Sequence, residues 1–194
     1  MRINESGCGF AAYVAFKIEL VELKMLKTSF GTLALAVALV AAPATSFAQT
    51  PKPIKQHKAW GAYSYKDARA GTICYILSIP TIKEPSDRDH GDVFFLVSQK
   101  PDGSAAFEPQ VEVGYPLKAD ASVTVTVDGK TFKMFSQGNN AWLTDVSQES
   151  NLVAAMKNGR SMKVSGQSTR GTQTSYTYSL SGVTAALNEV TKCR

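Results

Sequence analysis

The chain has 194 residues, 21 of them Lys or Arg against 16 Asp or Glu, which gives a net charge of +5. The excess is spread without a basic run, and this excludes the charged stripe of a nucleic-acid binder. Three cysteines without a CxxC spacing likewise exclude a zinc ribbon or a dithiol redox motif.

In chain order the first recognisable element is a targeting segment. Residues 25–48, MLKTSFGTLALAVALVAAPATSFA, carry Lys27, an apolar run from Leu33 to Ala42, and Ser46 and Ala48 at the −3 and −1 positions. This is the layout of a secretory signal peptide, with cleavage expected between Ala48 and Gln49, and its apolar run is too short to span a bilayer. Residues 1–24 are then an upstream extension. Glu5, Glu19 and Glu22 do not suit a signal n-region, so the extension reads as a start taken too early at Met1 rather than at Met25; an unusually long n-region is the alternative. The remaining residues, 49–194, suit one domain and hold 17 Lys or Arg against 13 Asp or Glu.

Cys8 leaves with the leader, so Cys74 and Cys193 remain. A secreted chain with two cysteines is expected to join them. A free thiol or an intermolecular bridge are the alternatives, and neither has the neighbouring histidine that a reactive cysteine calls for.

Residues 49–58, QTPKPIKQHK, hold two prolines and few apolar side chains, so they read as a flexible segment with a solvated His57. The domain proper starts at residue 59. AWGAYSYK and TICYILSI alternate as strands around a Gly71 turn, EPSDRDHGD is a loop, and VFFLVS is an apolar strand of the buried type. Lys100-Pro101-Asp102-Gly103 is a turn, and EPQVEVGYPL is a strand that Pro116 ends or pushes to an edge.

SVTVTVDGKTFKMF is the clearest local signal. Asp128-Gly129 suits a type I′ turn, and pairing outward from it sets Val125 against Phe132 and Val123 against Met134 on one face. Thr126 with Thr131 and Thr124 with Lys133 fall on the other face. NNAWLTDV is a further strand. SQESNLVAAMKNGRSM reads as a short helix with Ser147 or Ser150 as its cap, Leu152, Val153 and Met156 on one side, and a stop at Asn158-Gly159. MKVSGQS and TQTSYTYSL pair around Thr169-Arg170-Gly171, and GVTAALNEVTKC closes the chain as a helix with Val183, Ala186, Leu187 and Val190 at helical spacing. Many strands, frequent turns and two short helices imply an all-β, antiparallel sandwich.

Chemistry is sparse in this pattern. The cluster Asp87-Arg88-Asp89-His90-Gly91-Asp92 is the richest in polar groups, yet counting from Asp87 puts Gly91 at the fifth and Ser98 at the twelfth position of a calcium loop, where oxygen ligands are needed. It reads as an exposed contact loop in which Asp87, Asp89, His90 and Asp92 are the candidates, with Arg170 as a further contact in its turn. No metal, cofactor or catalytic set is assigned. There is no G-x-S-x-G elbow and there are only two histidines for a triad, so a hydrolase would have to rely on carboxylates such as Asp89, Asp92 and Asp145. Trp60 and Trp142 are expected in the core.

The order of several short motifs resembles the invasion associated locus B family of bacterial extracytoplasmic proteins. They are Gly114-Tyr115-Pro116-Leu117, Val127-Asp128-Gly129 with Phe132 and Met134-Phe135, Ala141-Trp142, and Leu152 to Lys157 with Gly159, followed by Arg170-Gly171-Thr172, Tyr178-Ser179-Leu180 with Gly182, Ala186-Leu187 and Cys193. Tyr176 departs from it, standing where an acidic residue is expected. The resemblance implies an immunoglobulin-like sandwich, located in the periplasm, on the outer surface or secreted, that touches host-cell or envelope components. It implies no catalytic residues, no cofactor, no nucleic-acid partner and no transmembrane segment in the mature chain. A periplasmic ligand-binding or envelope-maintenance module is the alternative.

Overall fold

The computed structural model describes residues 50–68, 70–100 and 107–193. The upstream extension, the signal peptide and its cleavage site, and most of the turn expected at 100–103 lie outside these residues. Eleven strands, β1 (Lys52–His57), β2 (Trp60–Asp67), β3 (Gly71–Ser78), β4 (Ile82–Glu84), β5 (Phe94–Gln99), β6 (Phe107–Glu112), β7 (Val123–Val127), β8 (Lys130–Gln137), β9 (Asn140–Leu143), β10 (Ser161–Gln167) and β11 (Gln173–Ser179), join two helices, α1 (Glu149–Asn158) and α2 (Val183–Val190).

All the strand pairs are antiparallel and belong to one sheet, in the order β1-β2-β3-β5-β6-β9-β8-β7-β10-β11-β4. That sheet folds over on itself. Trp60 on β2 donates its indole N–H to Ser179 O on β11 at 2.9 Å, and the Phe95 ring on β5 lies 5.8 Å from Tyr178 on β11, although these strands stand far apart in the sheet order. The fold is therefore the expected all-β sandwich, with its two layers formed by one continuous sheet.

The β7–β8 hairpin has the register expected from its sequence: Val125 faces Phe132, Val123 faces Met134, and Thr126 faces Thr131. Asp128 and Gly129 both take positive φ, at 44° and 85°. All four inward side chains are buried. Each is stabilised by about 1.5–3 kcal/mol on burial, against roughly 0.2–1 kcal/mol for a cross-strand pair, so burial fixes the register and the Thr pair follows.

Residues 52–57 do not form a flexible segment. They pair with β2 as an edge strand, and most of their side chains are exposed. Pairing of the backbone on one side is compatible with Pro53, because an edge strand has ladder groups that need no partner. His57 is also not simply solvated, since its Nε2 lies 3.3 Å from Glu189 Oε2 on α2. At the opposite edge β4 is three residues long, between Pro80 and Pro85. Prolines, lysines and a register shift at Pro53/Lys55 blunt both edges against further strand addition.

Helix α1 buries Leu152, Val153 and Met156 as expected, and Gly159 follows its last residue. Its entrance differs from the expectation. Neither Ser147 nor Ser150 caps it; Asp145 accepts the Ser147 N–H at 2.9 Å and caps the single 3-10 turn, Val146–Gln148, that leads into the helix. Helix α2 buries Val183, Ala186, Leu187 and Val190. Its N-terminal Gly182 has φ +98°, and a side chain there would run into the carbonyl of His57, so β1 and α2 close on each other through this glycine. Cys193, just past α2, is joined to Cys74 on β3, with a Cα–Cα distance of 6.2 Å.

Candidate functional site

The polar loop after β4 turns one side chain inward. Gly91, at φ +58°, packs on Gly114, where a Cβ would sit 2.6 Å from the Gly91 Cα. This close approach of two backbones brings His90 under the sheet. His90 is 5 % exposed, so it is not a member of an exposed contact loop as its sequence neighbours suggested.

Its ring nitrogens are both engaged. Nε2 lies 2.9 Å from Pro85 O, and Nδ1 lies 2.9 Å from the hydroxyl of Tyr176 on β11. Tyr176 Oη is 2.6 Å from Tyr115 Oη, Tyr115 Oη is 2.6 Å from Thr174 Oγ1, and Thr174 Oγ1 is 3.3 Å from Gly166 O on β10. A chain of hydroxyls thus links the loop, the 113–117 segment and strands β10 and β11. Burial, and then the Tyr115 hydroxyl, push the Tyr176 phenol well above its ordinary range, so it stays protonated. Burial does the same to Tyr178, two residues further along β11. Among the described residues Tyr178 Oη has no hydrogen-bond partner.

The other candidates remain on the surface and apart. Asp87 pairs with Arg88 at 3.7 Å with both side chains largely exposed, Asp89 accepts the Gly91 N–H at 2.8 Å, and Asp92 is exposed. Arg170 is exposed in the β10–β11 turn, on the other side of the 113–117 segment, where Pro116 O accepts the Thr169 N–H at 3.0 Å. Asp145 sits at the entrance to α1, where it accepts the Ser147 N–H at 2.9 Å. Among the described residues no three His, Cys, Asp or Glu side chains converge as a metal site.

Sequence reasoning missed Tyr115, Thr174 and Tyr176. A signal existed: Thr174, Tyr176 and Tyr178 alternate onto the inward face of β11, and a buried tyrosine hydroxyl seeks a partner.

A family profile described as Invasion associated locus B (IalB) protein matches residues 60–191. The chain belongs to the IalB family. The match runs from Trp60, the first residue of β2, to just past α2, so it takes in Cys74 and the whole hydroxyl chain and leaves β1 and Cys193 outside. No curated protein and no solved structure matches the chain.

Two surface features of this IalB domain remain. Leu77, Leu96, Gln110, Trp142 and Phe135 form one cross-strand row over β3, β5, β6, β9 and β8. Contrary to the expectation of a core aromatic, Trp142 is half-buried on this outer face and stacks on Phe135 at 5.9 Å; Phe135 is 48 % exposed. On the same face Tyr63 stacks on Tyr75 at 5.6 Å. The outer positions of β7, β10 and β11 instead pair Thr124 with Ser165 and Ser175, and Thr126 with Lys163 and Thr177. The second feature is an open cleft of about 850 Å³ between β8 and α1, with Phe132, Leu143 and Ala155 in its lining beside Lys130, Lys133 and Asn151.

Proposed function

We propose that this IalB protein is a non-enzymatic extracytoplasmic protein that acts by surface contact with host cells or with other envelope components. The unequal outer face carries this reading. An antiparallel sheet packed on one side normally turns polar residues to water, as β7, β10 and β11 do here. The β3-β5-β6-β9-β8 half instead sets Trp142, Phe135, Leu77 and Leu96 among Glu108, Gln110, Glu112 and Lys133, a contact surface with aromatic anchors beside polar residues. The expected signal peptide and the Cys74–Cys193 bond suit an oxidising compartment outside the cytoplasm.

The test compares the purified domain, residues 49–194, with its Phe135→Glu variant for binding to isolated envelope fractions and to intact host cells. Phe135 contributes little to the core, so the variant is expected to keep its melting temperature and to bind at least tenfold more weakly. Equal binding by the two proteins would remove the outer face from the function. Trp142 is the reporter of occupancy, because Trp60 is fully buried.

The cleft between β8 and α1 favours a second reading, a periplasmic ligand-binding or envelope-maintenance module, since its volume lies in the range of small-molecule sites. Under that reading a deletion strain shows altered envelope stress in pure culture, with no host present.

A further inference from the structure

The buried chain from His90 to Gly166 has a direction, and one proton sets it. Pro85 O can only accept, so His90 Nε2 carries a hydrogen. In the neutral imidazole Nδ1 is then an acceptor, and Tyr176 donates to it. Each hydroxyl has a single hydrogen. Tyr176 therefore accepts from Tyr115, Tyr115 accepts from Thr174, and the Thr174 hydrogen points away from Gly166 O.

A proton on Nδ1 reverses every link. His90 then donates to Tyr176, Tyr176 to Tyr115, Tyr115 to Thr174, and Thr174 to Gly166 O, with the same heavy-atom neighbours throughout. We propose that this chain is a proton-accommodating device: it lets the buried His90 change charge without leaving a hydrogen-bonding group unpaired, and so keeps the loop at residues 85–92 seated on the sandwich in acid.

Among the described residues the charged groups around the loop are engaged elsewhere: Glu84 on β4, beside Pro85, accepts from Ser175 Oγ at 2.9 Å and lies 4.0 Å from Lys163 Nζ. On β4, Lys83 Nζ donates to Gly91 O at 3.0 Å, which adds positive rather than negative charge near the loop. Asp89 is held by the Gly91 N–H, Asp87 and Arg88 pair with each other, and Asp92 is exposed. From β11 and the 113–117 segment the ring is hydrogen-bonded to Tyr176 and, through it, to Tyr115. Among the described residues no carboxylate touches the imidazole.

Tyr115→Phe separates the two states. With His90 neutral, the variant still lets Tyr176 donate to His90 and Thr174 donate to Gly166 O. With His90 protonated, Tyr176 receives the Nδ1 hydrogen, and its own hydrogen has lost the Tyr115 acceptor at 2.6 Å and must turn to Thr174. The substitution therefore removes an acceptor that is needed only when Nδ1 carries a hydrogen, so its cost is larger in acid.

The experiment is thermal unfolding of the wild type, Tyr115→Phe and Tyr178→Phe at pH 8 and pH 5, with ¹⁵N spectra of His90 in the wild type at pH 8. Tyr115→Phe is expected to lower the melting temperature by roughly 3–5 °C more at pH 5 than at pH 8. Tyr178→Phe, whose hydroxyl lies outside the chain, is expected to shift it equally at both. The ¹⁵N shifts are expected to show the Nε2–H tautomer. Equal effects of Tyr115→Phe at the two pH values would overturn the proposal, as would an Nδ1–H tautomer.

Discussion

Replacing Cys193 with serine tests how the chain end is held. Cys193 is the better choice because Cys74 is buried in the core, where a serine hydroxyl would add its own desolvation cost. The bond spans a sequence separation of 119 residues. For a loop of that length the chain-entropy treatment gives about 5 kcal/mol, an upper figure, because native disulfides typically contribute about 2–4 kcal/mol. What is lost is a constraint on the unfolded chain: Val183, Ala186, Leu187 and Val190 still dock α2 in the folded state. The variant should therefore fold, with stability lower by about 2–5 kcal/mol. At about 3 °C per kcal/mol for a domain of this size, the melting temperature falls by about 6–15 °C. Urea unfolding followed by tryptophan fluorescence is the assay, with a higher m-value expected because the unfolded chain is no longer cross-linked. A loss below about 1 kcal/mol would refute the reasoning, showing that the bond constrains neither state appreciably.

Gly182→Ala meets both a positive φ and the His57 carbonyl, so it should cost more than about 2 kcal/mol and speed hydrogen exchange along β1. Gly129→Ala, at φ +85° with open space around it, should cost only about 1 kcal/mol in the same unfolding assay. The carboxyl of Glu108 is pushed above its ordinary value by burial and by Glu149, although Lys100 opposes the shift. A raised carboxyl value means that the folded state holds its proton more tightly than the unfolded state, so the ionised group opposes folding at neutral pH. Glu108→Gln should raise the melting temperature at pH 7, with the gain fading as pH falls through the carboxylate range.

The sequence revealed structure where one local rule dominated. In the β7–β8 hairpin the period of two, the Asp128-Gly129 turn and the need to bury Val123, Val125, Phe132 and Met134 all agree, so register could be written residue by residue. β1 was illegible because an edge strand exposed along most of its length has no burial pattern to imprint on its side chains. Trp142 was misplaced by weighing its size above its position. Ala141 and Leu143 are buried, and alternation alone sends the residue between them outward. His90 was hidden for a different reason. Its burial depends on Gly91 meeting Gly114, a tertiary contact between segments more than twenty residues apart that no local pattern encodes.

The most direct test of extracytoplasmic residence is peptide-level mass spectrometry of the protein recovered from separated cytoplasmic, periplasmic, outer-membrane and culture-supernatant fractions. A chain beginning at Gln49, with Cys74 linked to Cys193 and found outside the cytoplasm, is the expected result. A reduced chain that retains residues 25–48 and remains in the cytoplasm would contradict it.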